Sequence, residues 1–321
     1  MQELSCQLQD TAALPARRKT AYLRSLAGLL LLGAALSRVD AASLVARLSQ
    51  LRIGYVLLGA SLAVPQLGLL ALRWRCTARS LGQRLTPREA LREYSLALLL
   101  NQVLPLGLLG DGLRVVRQAR RQRESAWAGA LHAVLLERGV GQLMLLLWAL
   151  CALPLWLGTR GVWIALALIA AAWLVARAAR ALPEERALPA SAWREQLVLL
   201  GLALRRVAAS GRTLALLLSA SGLVLLSIAG QLYCALWSID LSLSPLTAAK
   251  VFPMLLLSMS VPLSFAGFGP REAAAAGLYG ALQLSEADGL AFSVAYGTVL
   301  LFSSLPCLGL ALWLGRKERQ A

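Results

Sequence analysis

Charge is scarce in this chain, and acid is scarcer than base. Only 15% of its 321 residues are Asp, Glu, Lys or Arg, well below the roughly 25% of a soluble domain. Segments 53–72, 139–159, 213–239 and 289–315 contain none at all. Each is long enough as a helix to cross a hydrocarbon layer of roughly 30 Å. A water-soluble enzyme fold is excluded on that ground. Lipid offers no water to unpaired backbone groups, which leaves helices or closed barrels. The Leu/Ala-rich runs lack the alternation of barrel strands, so helices are expected.

Patterned cysteine and histidine are missing too. Cys6, Cys76, Cys151, Cys234 and Cys307 are scattered without a CxxC, and His132 is the single histidine. No metal site, disulfide framework or cofactor is expected from that distribution. Ser-His-Asp sets, HExxH, Walker A and GxSxG motifs are absent, and Gly267-x-Gly269 is too weak to be a nucleotide loop. No catalytic residue is therefore assigned. Residues 1–20 form a polar tail without the layout of a cleavable signal.

What is present is arginine. Lys19, Lys250 and Lys317 are the only lysines among 32 basic residues, and the net charge is +16. The positives cluster between apolar spans, which fits the positive-inside rule and anionic headgroups. No aromatic-basic recognition module accompanies them, so nucleic acid is not an expected partner.

Along the chain, a tail (1–20) precedes an N-terminal membrane half (21–181) with spans at 21–37, 53–72, 126–157 and 161–181. A basic amphipathic linker (182–212) leads to a C-terminal half (213–315) with spans at 213–237 and 288–314. Two apolar stretches, 94–123 and 248–283, are interrupted by proline and glycine. Treating 94–123 as a crossing would put the basic segments 73–92 and 114–123 on opposite sides of the membrane. Reading it as a re-entrant broken helix, hairpin A, removes the conflict, and 248–283 becomes hairpin B. The expected fold is an all-α polytopic membrane protein with about six transmembrane helices, two re-entrant hairpins and both termini cytoplasmic.

An internal repeat supports this layout. Residues 105–114 and 262–271 both read P-L-x-x-x-G-x-G-x-R, the second 157 positions after the first. The same offset carries span 53–72 onto 213–237 and span 126–157 onto 288–314. Opposite orientation of the two copies is the signature of a transporter whose site lies where the breaks meet.

Ionisable residues inside lipid cost roughly 2.5–3.5 kcal/mol at a helix centre, so each is a functional candidate. Glu137 and Arg138 lie within an apolar span, Asp111 and Arg114 close hairpin A, and Arg271 and Glu272 close hairpin B. Arginine's planar fork suits phosphate, and half-helix N-termini add N–H donors. We assign headgroup binding to these six and to Asn101, with Glu137 and Glu272 orienting Arg138 and Arg271. The competing reading has Glu137 and Arg138 pairing with Arg114 or Asp111 merely to knit helices together, with Asn101 capping a broken helix. Pro105, Gly107, Gly110 and Gly112, with Pro262, Gly267 and Gly269, are read as shaping the hairpins. His132 is read as a packed or snorkelling residue, and Arg73-Trp74 as an interface belt.

At these residues the chain resembles the lysylphosphatidylglycerol synthetase transmembrane (flippase-like) family. The features are Arg73-Trp74 after an early span, Asn101, Pro105, Gly110-Asp111 and Arg114, then Glu137-Arg138-Gly139. Near the C-terminus come Pro262, Ser264, Gly267, Gly269, Arg271-Glu272 and Pro306. Leu109 stands where the family commonly has another glycine. The resemblance implies a bacterial inner-membrane protein that translocates lipids carrying phosphate. It implies membrane lipids as partners, with a homo-oligomer or a lipid-synthesis enzyme as further ones. Bifunctional members carry a soluble aminoacyl-transferase domain that these 321 residues lack, so aminoacylation is not expected. The rival readings are an intramembrane enzyme acting on a polyprenyl-phosphate or glycolipid, with Asp111 and Glu137 as acid and base, and a non-catalytic scaffold of lipid synthesis.

Overall fold

A computed structural model describes residues 45, 48–103, 109–121, 127–181, 192–260 and 269–320. Every element among them is helical: α1 (Ile53–Ser61), α2 (Ala63–Ser80), α3 (Pro87–Val103), α4 (Leu109–Arg121), α5 (Trp127–Leu157) and α6 (Thr159–Ala181) in the first half. After α7 (Ala192–Ala209) come α8 (Gly211–Ser238), α9 (Pro245–Met259), α10 (Pro270–Ala281) and α11 (Glu286–Gln320). Four are long and apolar enough to cross a membrane: Ile53–Ser80, Trp127–Leu157, Gly211–Ser238 and Glu286–Leu314. Thr159–Ala171 and Pro245–Met259 are shorter apolar helices. The expected span 21–37 lies outside the described residues.

Local chemistry sets the breaks. Pro65, in the first turn of α2, lacks an N–H, and the long helix Ile53–Ser80 is interrupted just before it at Leu62. Ser244 and Ser210 cap α9 and α8 by accepting the N–H of Thr247 and Thr213. Thr86 and Glu89 make a reciprocal box before α3: the Thr86 N–H donates to Glu89 Oε2 at 2.8 Å, and the Glu89 N–H donates to Thr86 Oγ1 at 3.3 Å. Gly158, at φ +57°, turns the chain from α5 into α6.

One boundary departs from expectation. The apolar run was expected to end at residue 72, with 73–92 as an Arg-rich connection. The helix instead continues to Ser80. Arg73 and Trp74 are 3% and 0% exposed, so they are core residues and not an interface belt. A charge ends a span only where it must reach water, and Arg73 finds a carboxylate inside.

The repeat is built in three dimensions. The residues of Ile53–Ser80, α3, α4 and α5 are followed, 157 positions on, by α8, α9, α10 and α11 in the same order. The first pair of mates runs antiparallel. The Arg52 N–H donates to the Ser238 carbonyl at 2.7 Å, Gly59 lies against Cys234, and Ser227 donates to the Leu62 carbonyl at 3.0 Å. Further along, Cys76 packs in a cluster around Leu217. One index rises as the other falls, so the copies are inverted. The halves also interlock: α3 packs on α11, and its mate α9 packs on α5, the mate of α11.

Candidate functional site

Hairpin A closes on a buried ionic centre. Its arms, α3 and α4, approach so closely that a Cβ on Gly110 would stand 2.1 Å from the Ala97 carbonyl oxygen. Only glycine allows that contact. The first turn of α4 leaves N–H groups open, and Asn101 Oδ1 accepts the one on Gly110 at 2.8 Å. With α4 so placed, Asp111 and Arg114 face Glu137 and Arg138 of α5, Tyr94 of α3, and Arg73 and Trp74 of α2.

Glu137, 1% exposed, is the hub. Arg73 Nη2 donates to its Oε1 at 2.7 Å and to its backbone carbonyl at 2.6 Å. The Tyr94 hydroxyl donates to Oε1 at 3.2 Å and Oε2 at 3.3 Å, and Arg114 Nη2 reaches Oε2 at 3.5 Å. Arg114 also binds Asp111, whose other oxygen holds Arg138. The Arg114 guanidinium carbon lies 4.0 Å from the Tyr94 ring centroid and 4.9 Å from that of Trp74. Two ring faces therefore share its charge.

Charges in this centre do not balance. Arg73, Arg114 and Arg138 face Asp111 and Glu137, an excess of one positive charge. Arg73 Nε, Arg114 Nε and Arg114 Nη1 are buried without a hydrogen-bond partner among the described residues. The Arg138 side chain is 39% exposed, so the cluster has one open edge. Next to it along α3 and α4, Glu93 pairs with Arg117 at 3.0 Å and Arg121 at 2.8 Å.

Hairpin B holds a second, balanced centre. Gly269 has φ +106°, a conformation that suits glycine, and it delivers Pro270 into the first turn of α10. Glu272 Oε2 accepts the Gly269 N–H at 2.6 Å. Its Oε1 accepts from Arg271 Nη2 at 2.6 Å, Arg271 Nε at 3.0 Å and the Ser293 hydroxyl at 3.1 Å. Arg271 Nε also donates to Ser293 Oγ at 2.9 Å, and its guanidinium lies 5.7 Å from the Tyr296 ring centroid. Glycines make room in both centres: a Cβ on Gly141 would sit 2.9 Å from Arg73, and one on Gly297 2.7 Å from Arg271.

The structure thus gathers Asp111, Arg114, Glu137 and Arg138 in one cluster and Arg271 with Glu272 in another. Asn101 is used as a cap. The expected orientation of Arg271 by Glu272 is present, but Glu137 does not orient Arg138. Arg138 turns to Asp111 instead, and the Glu137 oxygens are taken by Arg73, Tyr94 and Arg114. Gly112 is exposed with open space beside it, while Pro105, Gly107, Pro262 and Gly267 lie outside the described residues. Arg73, Tyr94 and Ser293 were not anticipated. Arg73 was visible as a charge at the end of an apolar run, but nothing marked it as facing inward. No group of three or more His, Cys, Asp or Glu residues that could hold a metal occurs among the described residues.

A search among curated proteins finds no match to this chain. The family described as lysylphosphatidylglycerol synthase TM region does match, across residues 22–307 and so across both hairpins and both centres, and the chain belongs to that family.

Proposed function

We propose that this protein moves a phosphate-bearing lipid across the membrane, the hairpin A centre receiving the headgroup phosphate. The observation that carries the reading is the uncompensated positive charge there, with buried guanidinium N–H groups still unspent. A phosphate oxygen accepts such donors in forked geometry and neutralises the excess. Arg138, at the open edge, makes first contact, and Asp111 releases it as phosphate arrives. Arg271 serves the second half of the transit cycle as the repeat mate of Arg114. Membrane lipids, anionic or phosphate-bearing, are the partners, with a second copy of the chain or a lipid-synthesis enzyme as possible associates. The setting is a bacterial inner membrane with both termini cytoplasmic, in keeping with the basic linkers.

Intramembrane acid–base catalysis by Asp111 and Glu137 is less well supported. Both oxygens of Glu137 already accept from Arg73, Arg114 and Tyr94. That leaves little room for a substrate proton. A scaffold would tolerate loss of the centres altogether.

The test is lipid translocation in proteoliposomes by Arg138→Lys and Arg271→Lys proteins that insert normally. A forked phosphate contact loses about ten-fold or more in rate, since one bidentate charge-assisted bond is worth about 1.5–3 kcal/mol. Rates like the unaltered protein's in both would leave these arginines structural.

A further inference from the structure

A second polar site lies away from the arginines, in the seam between the two halves. A half-open cleft of about 90 Å³ has Gln66 of α2, Gln102 of α3, Gln231 of α8, and Ser303 and Ser304 of α11 set in an otherwise apolar wall. No charged residue lines it. It lies where α2 crosses its inverted mate α8, so both halves build its wall. The volume has room for about three waters at about 30 Å³ each, or for a small polyol.

Its polar groups are the amides of Gln66, Gln102 and Gln231 and the hydroxyls of Ser303 and Ser304. Gln231 is 1% exposed; its Nε2 donates to Gln66 Oε1 at 3.1 Å. Its Oε1 is buried and has no hydrogen-bond partner among the described residues. Exchanging oxygen and nitrogen in both amides would put an N–H in that place, so the unpaired Gln231 group meets a hydroxyl either as acceptor or as donor. Ser303 spends its proton on the Val299 carbonyl at 2.8 Å, and Ser304 spends its own on that of Leu301. Their oxygens remain to accept. A charge-free wall with an unpaired amide group favours a hydroxyl, which both donates and accepts, over a phosphate.

The pocket and the arginine centre both touch one stripe of α3. Tyr94, whose ring covers Arg114, is followed on the same face by Leu98 and Gln102, about 6 and 12 Å further along the axis. Gln102 also adjoins Asn101, which caps hairpin A.

We infer that this pocket is the subsite for the uncharged, hydroxyl-bearing part of the headgroup whose phosphate the hairpin A centre takes. The inference rests on the phosphate reading above. Hydroxyls of a polyol pair with the Gln231 amide and donate to the serine oxygens, and the pocket thereby distinguishes headgroups of equal charge.

Short-chain phosphatidylglycerol and phosphatidylmethanol carry the same single phosphodiester charge, but only the first has free hydroxyls. The purified full chain is offered an equimolar mixture, and the bound lipids are counted by native mass spectrometry. The unaltered protein is expected to favour phosphatidylglycerol about ten-fold, the size of an unpaired-acceptor effect. Gln231→Leu is expected to bring the ratio near one while phosphatidylmethanol retention stays within about two-fold. Should Gln231→Leu fail to fold, Ser303→Ala, a smaller change in the same wall, is expected to lower the ratio about three-fold. An undiminished ratio in the variants, or equal retention of the two lipids by the unaltered protein, overturns the inference and leaves the phosphate reading standing. Retention of neither lipid overturns both.

Discussion

Arg114 and Arg271 occupy the same place in the two inverted copies, both almost fully buried, yet they are neutralised in different ways. Arg271 leans on the next residue in sequence, Glu272, which also caps its own helix. Arg114 is held from four helices, by Asp111, Glu137, Tyr94 and Trp74. The two repeat-related arginines thus differ: Arg271 is served by its sequence neighbour with Ser293 and Tyr296 of one further helix, and Arg114 by three further helices. The Arg114 centre carries the surplus charge.

That difference sets the stability of each centre. Glu272→Gln strips the charge facing Arg271 but leaves an oxygen for the Gly269 N–H, and is expected to destabilise by about 3–5 kcal/mol, the penalty for a buried charge left alone. Arg138→Gln, at the half-exposed edge, is expected to change stability by less than about 1 kcal/mol, since Asp111 keeps Arg114. Thermal unfolding of the two variants in one detergent measures the order. Equal midpoints would mean that hairpin B is hydrated.

The box before α3 gives a pH signature outside the spans. Burial pushes the Glu89 carboxyl up, but the backbone N–H and hydroxyl of Thr86, with Arg121, outweigh it and hold the group below its usual value. A depressed carboxyl stabilises while ionised, so its contribution is full above about pH 4.3 and fades as pH falls through the lower folded value. Thr86→Ala is expected to cost about 1 kcal/mol near neutrality and to flatten the acid limb of the unfolding curve below pH 4. Midpoints followed from pH 3 to pH 7 check this; an unchanged slope would show that the backbone N–H of residue 86 and Arg121, which the substitution leaves in place, set the group.

Sidedness follows from the basic segments. Arg120→Cys and Arg206→Cys, both exposed on described helices, are expected to be shielded from an impermeant thiol reagent in intact cells. Asp240→Cys, in the turn after α8, is expected to label. Labelling at position 120 from outside would make hairpin A a crossing instead of a re-entrant element.

The sequence carried more of the architecture than of the site. The offset of 157 positions, read from proline and glycine, anticipated the order in which Ile53–Ser80, α3, α4 and α5 recur as α8, α9, α10 and α11. Uncharged runs betrayed the long helices for the general reason that lipid rejects charge. Direction of a side chain carries no such mark. Arg73-Trp74 looks the same at a headgroup boundary and in a core, and only the continuation of α2 to Ser80 tells them apart. Glu137 and Arg138 look like a pair when written side by side, though the helix sends them to different partners. Gln66, Gln102 and Gln231 sit in three separate helices, and their meeting exists only after folding.

The interlocking of the halves bears on the order in which the protein can be made. Hairpin A is written early, with α3 complete at Val103, but the helix it lies on, α11, begins only at Glu286. Hairpin B has no such wait, because α5 is already in place when α9 emerges. A chain growing from its N-terminus must therefore hold α3 and α4, arginines included, without this neighbour until α11 has been made.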